Sequence, residues 1–152
     1  MKKVSIFWFR RDLRIEDNHG LFQALSSDVP VLPLFIFDTN ILDRLPSKKD
    51  GRVEFIHQAL EAINTQIGGH LCVKHGDPST IFRSLFNEWD VVKVYTNHDY
   101  ERYGLERDVK IKSLAQEMPV LMLSKWANPH YSPNDDLALM SDIMANGIQE
   151  PI

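Results

Sequence analysis

Five apolar runs of strand length, VSIFWF (4–9), VLPLFIF (31–37), HLCVKH (70–75), VVKVY (91–95) and VLML (120–123), are separated by stretches with helical spacing. Runs of four to eight apolar residues are too short for buried helices and read as strands. Strands that alternate with helices are joined by crossover connections, which make neighbouring strands parallel. Because the runs are continuously apolar instead of alternating, both faces of the sheet are expected to lie under helices. The pattern therefore predicts an α/β fold built on a five-stranded parallel sheet with helices on both faces. Pro33 has no N–H for a ladder, so the second strand is expected to be an edge, to bulge, or to begin later than Val31.

Between Gly51 and Gly68 the residues Val53, Ile56, Leu60, Ile63 and Ile67 recur at spacings of three and four. That stripe predicts an amphipathic helix stopped by Gly68 and Gly69. In GDPSTIFRSLF, Asp77 is placed to cap a helix whose first residue is Pro78, with Ile81 and Leu85 one turn apart. Another helix is expected from about Tyr100, with Glu106/Lys110 and Asp108/Lys112 as ion pairs on its wet face. After Leu123 the segment SKWANPHYSPNDD turns irregular. Ser132, Pro133 and Asp135 then predict a short terminal helix carrying Leu137, Met140 and Met144, a stripe that needs a surface on this domain, on a neighbour in an oligomer or on a second domain.

A chain of 152 residues, 43% of them hydrophobic, can bury roughly 68–70% of its unfolded surface in one core. One cysteine, Cys72, excludes an internal disulfide framework, and the opening apolar run is too short for a leader or a membrane span, so a cytoplasmic protein without membrane contact is expected. A net charge of −4 argues against a surface dominated by phosphate-binding basic residues, although it leaves room for a local basic patch such as Arg10, Arg11 and Arg14, so nucleic acid is not the expected ligand of this chain. His70, Cys72 and His75 are close in sequence, but on a strand His75 points away from the other two, and no metal site is expected. Neither G-x-G-x-x-G nor a phosphate-binding G-x-x-x-x-G-K-[ST] occurs. No serine, cysteine or histidine is placed to partner Asp12, Asp17 or Asp99, so no catalytic residue is assigned.

The loop after the first strand, WFRRDLRIEDN (8–18), is dense in charge. Read physically, Arg10, Asp12, Arg14 and Asp17 would pair among themselves, and Asp17 or Asn18 would cap the helix containing Leu21, Phe22 and Leu25. The same stretch, with Trp8, Phe9, Arg10, Asp12, Leu13, Arg14, Asp17 and Asn18 in the pattern W-F-R-x-D-L-R-x-x-D-N, resembles the N-terminal signature of the DNA photolyase and cryptochrome family. The resemblance continues through LPLFIFD (32–38), GRVEFIHQAL (51–60), HGDP (75–78) and NHDYERYGLERD (97–108), covering about residues 1–123.

That resemblance implies a Rossmann-like N-terminal domain over 1–123, followed by a linker-like tail over 124–152. The helical domain that holds FAD and the damaged DNA in such proteins would belong to a longer parent, a deoxyribodipyrimidine photolyase. In many relatives the α/β domain binds a light-harvesting antenna chromophore. Folate-binding members carry Asn-Glu where this chain has Tyr103 and Gly104, so the resemblance favours a deazaflavin or FMN over folate. The implied contacts are Phe35, Ile36, Phe37, Arg52, Asp99 and Glu101. Two alternatives remain at this point: a cryptochrome-type photoreceptor, which shares all these residues, and a stand-alone nucleotide-binding α/β module, since parallel sheets bind ligands at the carboxyl ends of their strands.

Overall fold

The computed structural model describes residues 2–43, 51–97 and 102–125. Five strands, β1 (Lys3–Phe9), β2 (Val31–Asp38), β3 (Cys72–Gly76), β4 (Asp90–Asn97) and β5 (Leu121–Lys125), form one parallel sheet in the order β3-β2-β1-β4-β5. The connecting helices are α1 (His19–Leu25), α2 (Thr39–Leu42), α3 (Gly51–Gln66), α4 (Pro78–Glu88) and α5 (Arg102–Glu117). The chain steps from β1 to β2 to β3, then crosses back over β1 to add β4 and β5. The two directions of winding meet between the carboxyl ends of β1 and β4, the switch point where doubly wound domains gather ligands.

Alternation along β1 and β2 divides the core in two. Val4, Ile6, Trp8, Leu32, Leu34 and Ile36 face α4 and α5, meeting Phe82, Leu85, Phe86, Ile111 and Leu114. Phe7, Phe9, Val31 and Phe35 face α1 and α3, meeting Leu21, Ala24, Leu60 and Ile63. Both strands are buried along almost their whole length, which is why they read as unbroken apolar runs.

β2 is not an edge, but Pro33 behaves as an edge residue on one side. It pairs with Phe7 of β1, while the ladder to β3 begins only at Leu34 opposite Cys72. The third strand starts at Cys72, so His70 precedes the sheet and the expected facing of the His70–Cys72 pair does not arise. Among the described residues no cluster of His, Cys, Asp and Glu could hold a metal, and Cys72 is a buried core thiol. No described helix is long and apolar enough to cross a membrane.

The helix over Gly51–Gln66 ends as its glycines predict: Gly68 and Gly69 adopt φ of 73° and 85°, and the Gly69 N–H donates to Asn64 O at 2.8 Å. Leu60, Ile63 and Ile67 are buried, whereas Val53 and Ile56, nearer the start of α3, are only half-buried. Asp77 caps α4 as expected, accepting from Thr80 N at 3.1 Å. The expected terminal helix lies outside the described residues.

Ser5 sits on β1 at an irregularity in the β1–β4 register, and its Oγ is buried with no hydrogen-bond partner among the described residues. A buried hydroxyl without a partner loses its hydration and gains nothing in return. Ser5→Ala is expected to raise stability by about 1 kcal/mol in urea-denaturation midpoints.

Candidate functional site

The charged loop after β1 pairs only partly as expected, because the Arg10 side chain finds its partners on other elements. Arg10 leaves the end of β1 toward α5, where its guanidinium donates to the carboxylate of Asp108 and to the backbone carbonyl of Asn97. Asp12 accepts from the Arg10 N–H at 2.9 Å and from the Asn97 side-chain amide. Arg14 Nε donates to the backbone oxygen of Asp17 at 3.1 Å. Of the two expected caps, Asn18 is the one used: its Oδ1 accepts from Leu21 N at 3.1 Å. Asp17 takes the left-handed conformation that delivers the chain to the cap, with φ of 50°.

Asp108, read from helical spacing as a wet-face partner of Lys112, instead faces inward with its side chain 14% exposed. Arg107 beside it is also buried, 3.7 Å from both Asp38 and Asp108. The two guanidiniums flank the Trp8 indole, with Arg10 Cζ 5.1 Å and Arg107 Cζ 4.9 Å from the ring centroid. The Arg10 and Arg107 guanidiniums and the Asp38 and Asp108 carboxylates thus form one cluster beside a buried aromatic ring, where ion pairing offsets the loss of hydration.

On the opposite face of the sheet, Asn97 is the hub. Its amide donates to Asp12 and, at 2.7 Å, to Asn18, while its Oδ1 accepts from Gly20 N at 2.8 Å. The crevice between the ends of β1 and β4 is therefore filled by Arg10, Asp12, Asn18 and Asn97. Burial drives the Asp12 carboxyl above its ordinary pKa, opposed by the Arg10 N–H and the Asn97 amide. Neither Asn97 nor Gly20 was singled out in the sequence, since nothing local marks a strand-end asparagine as the partner of a glycine 77 residues earlier.

A second polar string ties the ends of β2 and β3 to α5. The Tyr103 hydroxyl donates to Asp38 at 2.6 Å, Asp38 accepts from Asn40 N at 2.9 Å, and the Asn40 side chain donates to Asp77 at 2.9 Å. Burial first, and the Asp38 carboxylate second, push the Tyr103 phenol up to about 12. The Asn40 hydrogen bond, ahead of the Thr80 contacts, holds the Asp77 carboxyl below its ordinary value. A carboxylate with a lowered folded pKa stabilises above its unfolded value of about 3.9, and that contribution disappears as pH falls through the folded pKa. Asp77→Asn keeps a capping oxygen but does not titrate. The stability advantage of the native chain over this variant, read from denaturation midpoints, should therefore shrink below about pH 4.

The residues implied as chromophore contacts are distributed unevenly. Phe35 and Phe37 point to the α3 face, and Ile36 points to the opposite face among the α4–α5 residues. Three consecutive strand residues thus do not form one wall. Phe35 packs edge-on to Phe37, with centroids 5.0 Å apart, and Phe37 lies 4.9 Å from the His57 imidazole at an interplanar angle of 31°. Arg52 is exposed in the first turn of α3. Asp99 and Glu101 lie outside the described residues, in the segment that follows β4. His57 was missed because an exposed helical histidine carries no signal until the fold sets it against Phe37.

These features define a doubly wound α/β domain whose switch point is closed by its own side chains and whose β2 end carries an aromatic row. The family model for DNA photolyase matches residues 5–137. The chain is 30% identical over 144 residues to the deoxyribodipyrimidine photo-lyase of Halobacterium salinarum, covering 87% of this chain and 29% of that protein. It is 31% identical over 155 residues to cryptochrome-1 of Anopheles gambiae, covering 91% of this chain and 27% of that one. Among solved structures it superposes on an archaeal photolyase from Sulfolobus tokodaii with a TM-score of 0.74 and 34% identity, over 82% of this chain and 29% of that one. That structure is described as holding two FAD molecules, with the implication of a novel light-harvesting cofactor. A Synechocystis cryptochrome at 16% identity and a TM-score of 0.75, over 83% of this chain and 28% of that one, shares the fold. The chain belongs to the DNA photolyase family, which also takes in the cryptochromes, and it corresponds to the N-terminal α/β domain. It spans under a third of the length of these relatives.

Proposed function

We propose that this chain is the antenna-chromophore domain of a light-driven photolyase whose FAD and damaged-DNA sites lie in further chain of a longer parent. The observation that carries the reading is the aromatic row Phe35–Phe37–His57 at the carboxyl end of β2, beside a switch point that its own polar groups already fill. In a doubly wound domain the ligand is expected at strand ends, and here the open aromatic surface lies at β2. Phe37 would take a planar ring, Arg52 would meet an anionic tail, and Asp99 and Glu101 would accept hydrogen bonds from ring or ribityl groups. A bound antenna supplies light absorption and transfer of excitation to FAD in the parent.

Tyr103 and Gly104 favour a deazaflavin or FMN over folate. Tyr103 spends its hydroxyl on Asp38, and Gly104 is buried in the first turn of α5. The filled switch point disfavours a general nucleotide-binding module. Cryptochrome relatives match as well as photolyases do, so a photoreceptor parent is the second reading, separated by whether that parent repairs pyrimidine dimers in light.

Titration of the chain with FMN, a deazaflavin and a folate, followed by absorption and fluorescence, tests the reading. Saturable binding of one of the first two, weakened in Arg52→Ala and Asp99→Ala, is the expected result. Preferential binding of folate would refute the assignment of the antenna.

A further inference from the structure

We infer that His57 is a specificity-determining residue of the chromophore site, presenting its imidazole as the outermost step of an aromatic ladder on which a flat tricyclic ring stacks. The inference rests on the antenna reading above and adds to it a residue that neither the signature nor the family comparison marks. Its basis is a graded row of rings. Phe35 is 6% exposed, Phe37 is half-buried, and His57 is exposed. The inner pair meets edge to face at 80°, which fixes the plane of Phe37 from below. The outer pair is tilted by 31° with centroids 4.9 Å apart. Rings at that separation lie within the attractive range of aromatic pairs.

The topology explains why the row leads outward. Phe35 and Phe37 are alternate residues of β2 on one face, and α3 lies in the connection from the carboxyl end of β2 to the start of its parallel neighbour β3, which sets the first turns of α3 toward the carboxyl end of the sheet. His57 is in those turns, one turn ahead of Leu60 and Glu61, where α3 begins to bury itself. A ring that only shielded Phe37 from water would serve as well if it were aliphatic. An imidazole adds a second flat face directed away from Phe37, at the end of the sheet where ligands of this fold class gather.

The surrounding charges choose the probe. Glu54 and Glu61 stand one turn to either side of His57 on α3, and both are exposed. A phosphate on the ligand would feel these acids as well as Arg52. Riboflavin carries the isoalloxazine ring without the phosphate and so isolates the ring contact.

The test is a riboflavin titration of the full 152-residue chain, followed by flavin fluorescence and by the NMR signal of the His57 Cε1 proton. His57→Phe, which keeps a flat ring, is expected to bind within about threefold of the native chain, and His57→Ala about tenfold more weakly. The His57 proton should shift upfield as riboflavin saturates. Native-like affinity in His57→Ala, with an unmoved His57 resonance, would overturn the inference while leaving the antenna reading intact. Absence of saturable binding of riboflavin, FMN and a deazaflavin to the native chain would overturn both. Because the imidazole is exposed, the variants should keep the native near-ultraviolet circular dichroism, which separates lost binding from lost folding.

Discussion

Replacing Asp108 with alanine should cost about 3 kcal/mol of stability and lower the melting temperature by about 10 °C. Asp108 accepts from the Arg10 guanidinium and lies 3.7 Å from that of Arg107, and the two arginine side chains are only 6% and 9% exposed. Its removal leaves two cations against the Trp8 ring, with Asp38 beside Arg107 and Asp12 beside Arg10 but neither guanidinium holding its Asp108 contact. Removing one member of a buried ion pair is far more damaging than replacing the whole pair, because the survivor stays dehydrated and uncompensated. The double variant Asp108→Ala with Arg10→Met should therefore recover part of the loss. Thermal unfolding followed by Trp fluorescence reads both effects, since Trp8 is 2% exposed and both guanidiniums lie against its ring. An Asp108→Ala chain as stable as the native one would show that the cluster contributes no net stability.

Gly20→Ala is expected to cost about 2–4 kcal/mol, although alanine is the better helix former. A Cβ on Gly20 would lie 2.7 Å from Asn97 Oδ1 and 3.0 Å from Phe7 Cε2. The Asn97 oxygen cannot simply move aside, because it accepts from the Gly20 N–H while its amide holds Asp12 and Asn18. The new methyl group would displace the hub or shift α1 off the sheet. A double-mutant cycle separates this account from a generic packing defect. Gly20→Ala and Asn97→Ala should be less damaging together than the sum of the single effects, by more than about 1 kcal/mol. Additive effects would place the strain elsewhere.

Much of the architecture could be read from local patterns because local physics determines it. β1 and β2 are covered on both sides, so they are apolar at every position, and Asp77–Pro78 and Gly68–Gly69 carry their own capping chemistry. Pro33 suggested an edge, a bulge or a later start for its strand, yet β2 is internal and begins at Val31; the proline is tolerated because the ladder to β3 begins only at Leu34. The charged loop was harder. Spacing within WFRRDLRIEDN suggested pairing among Arg10, Asp12, Arg14 and Asp17, yet the partners of Arg10 and Asp12 come from β4 and α5, 85 to 98 residues away. Asp108 was misassigned to solvent for a related reason: helical periodicity detects apolar faces, and a face buried by ion pairs looks wet. His57 was illegible because its partner, Phe37, is supplied by another element.

The central claim, that a flat chromophore ring and not a nucleotide is the ligand of this domain, is tested most directly by equilibrium dialysis of the chain against an equimolar mixture of FMN, a deazaflavin, a folate, ATP and NAD. The account predicts retention of FMN or the deazaflavin, with folate and both adenine nucleotides left at their outside concentrations. Retention of ATP or NAD instead would contradict it and show that the polar groups between β1 and β4 yield to a phosphate.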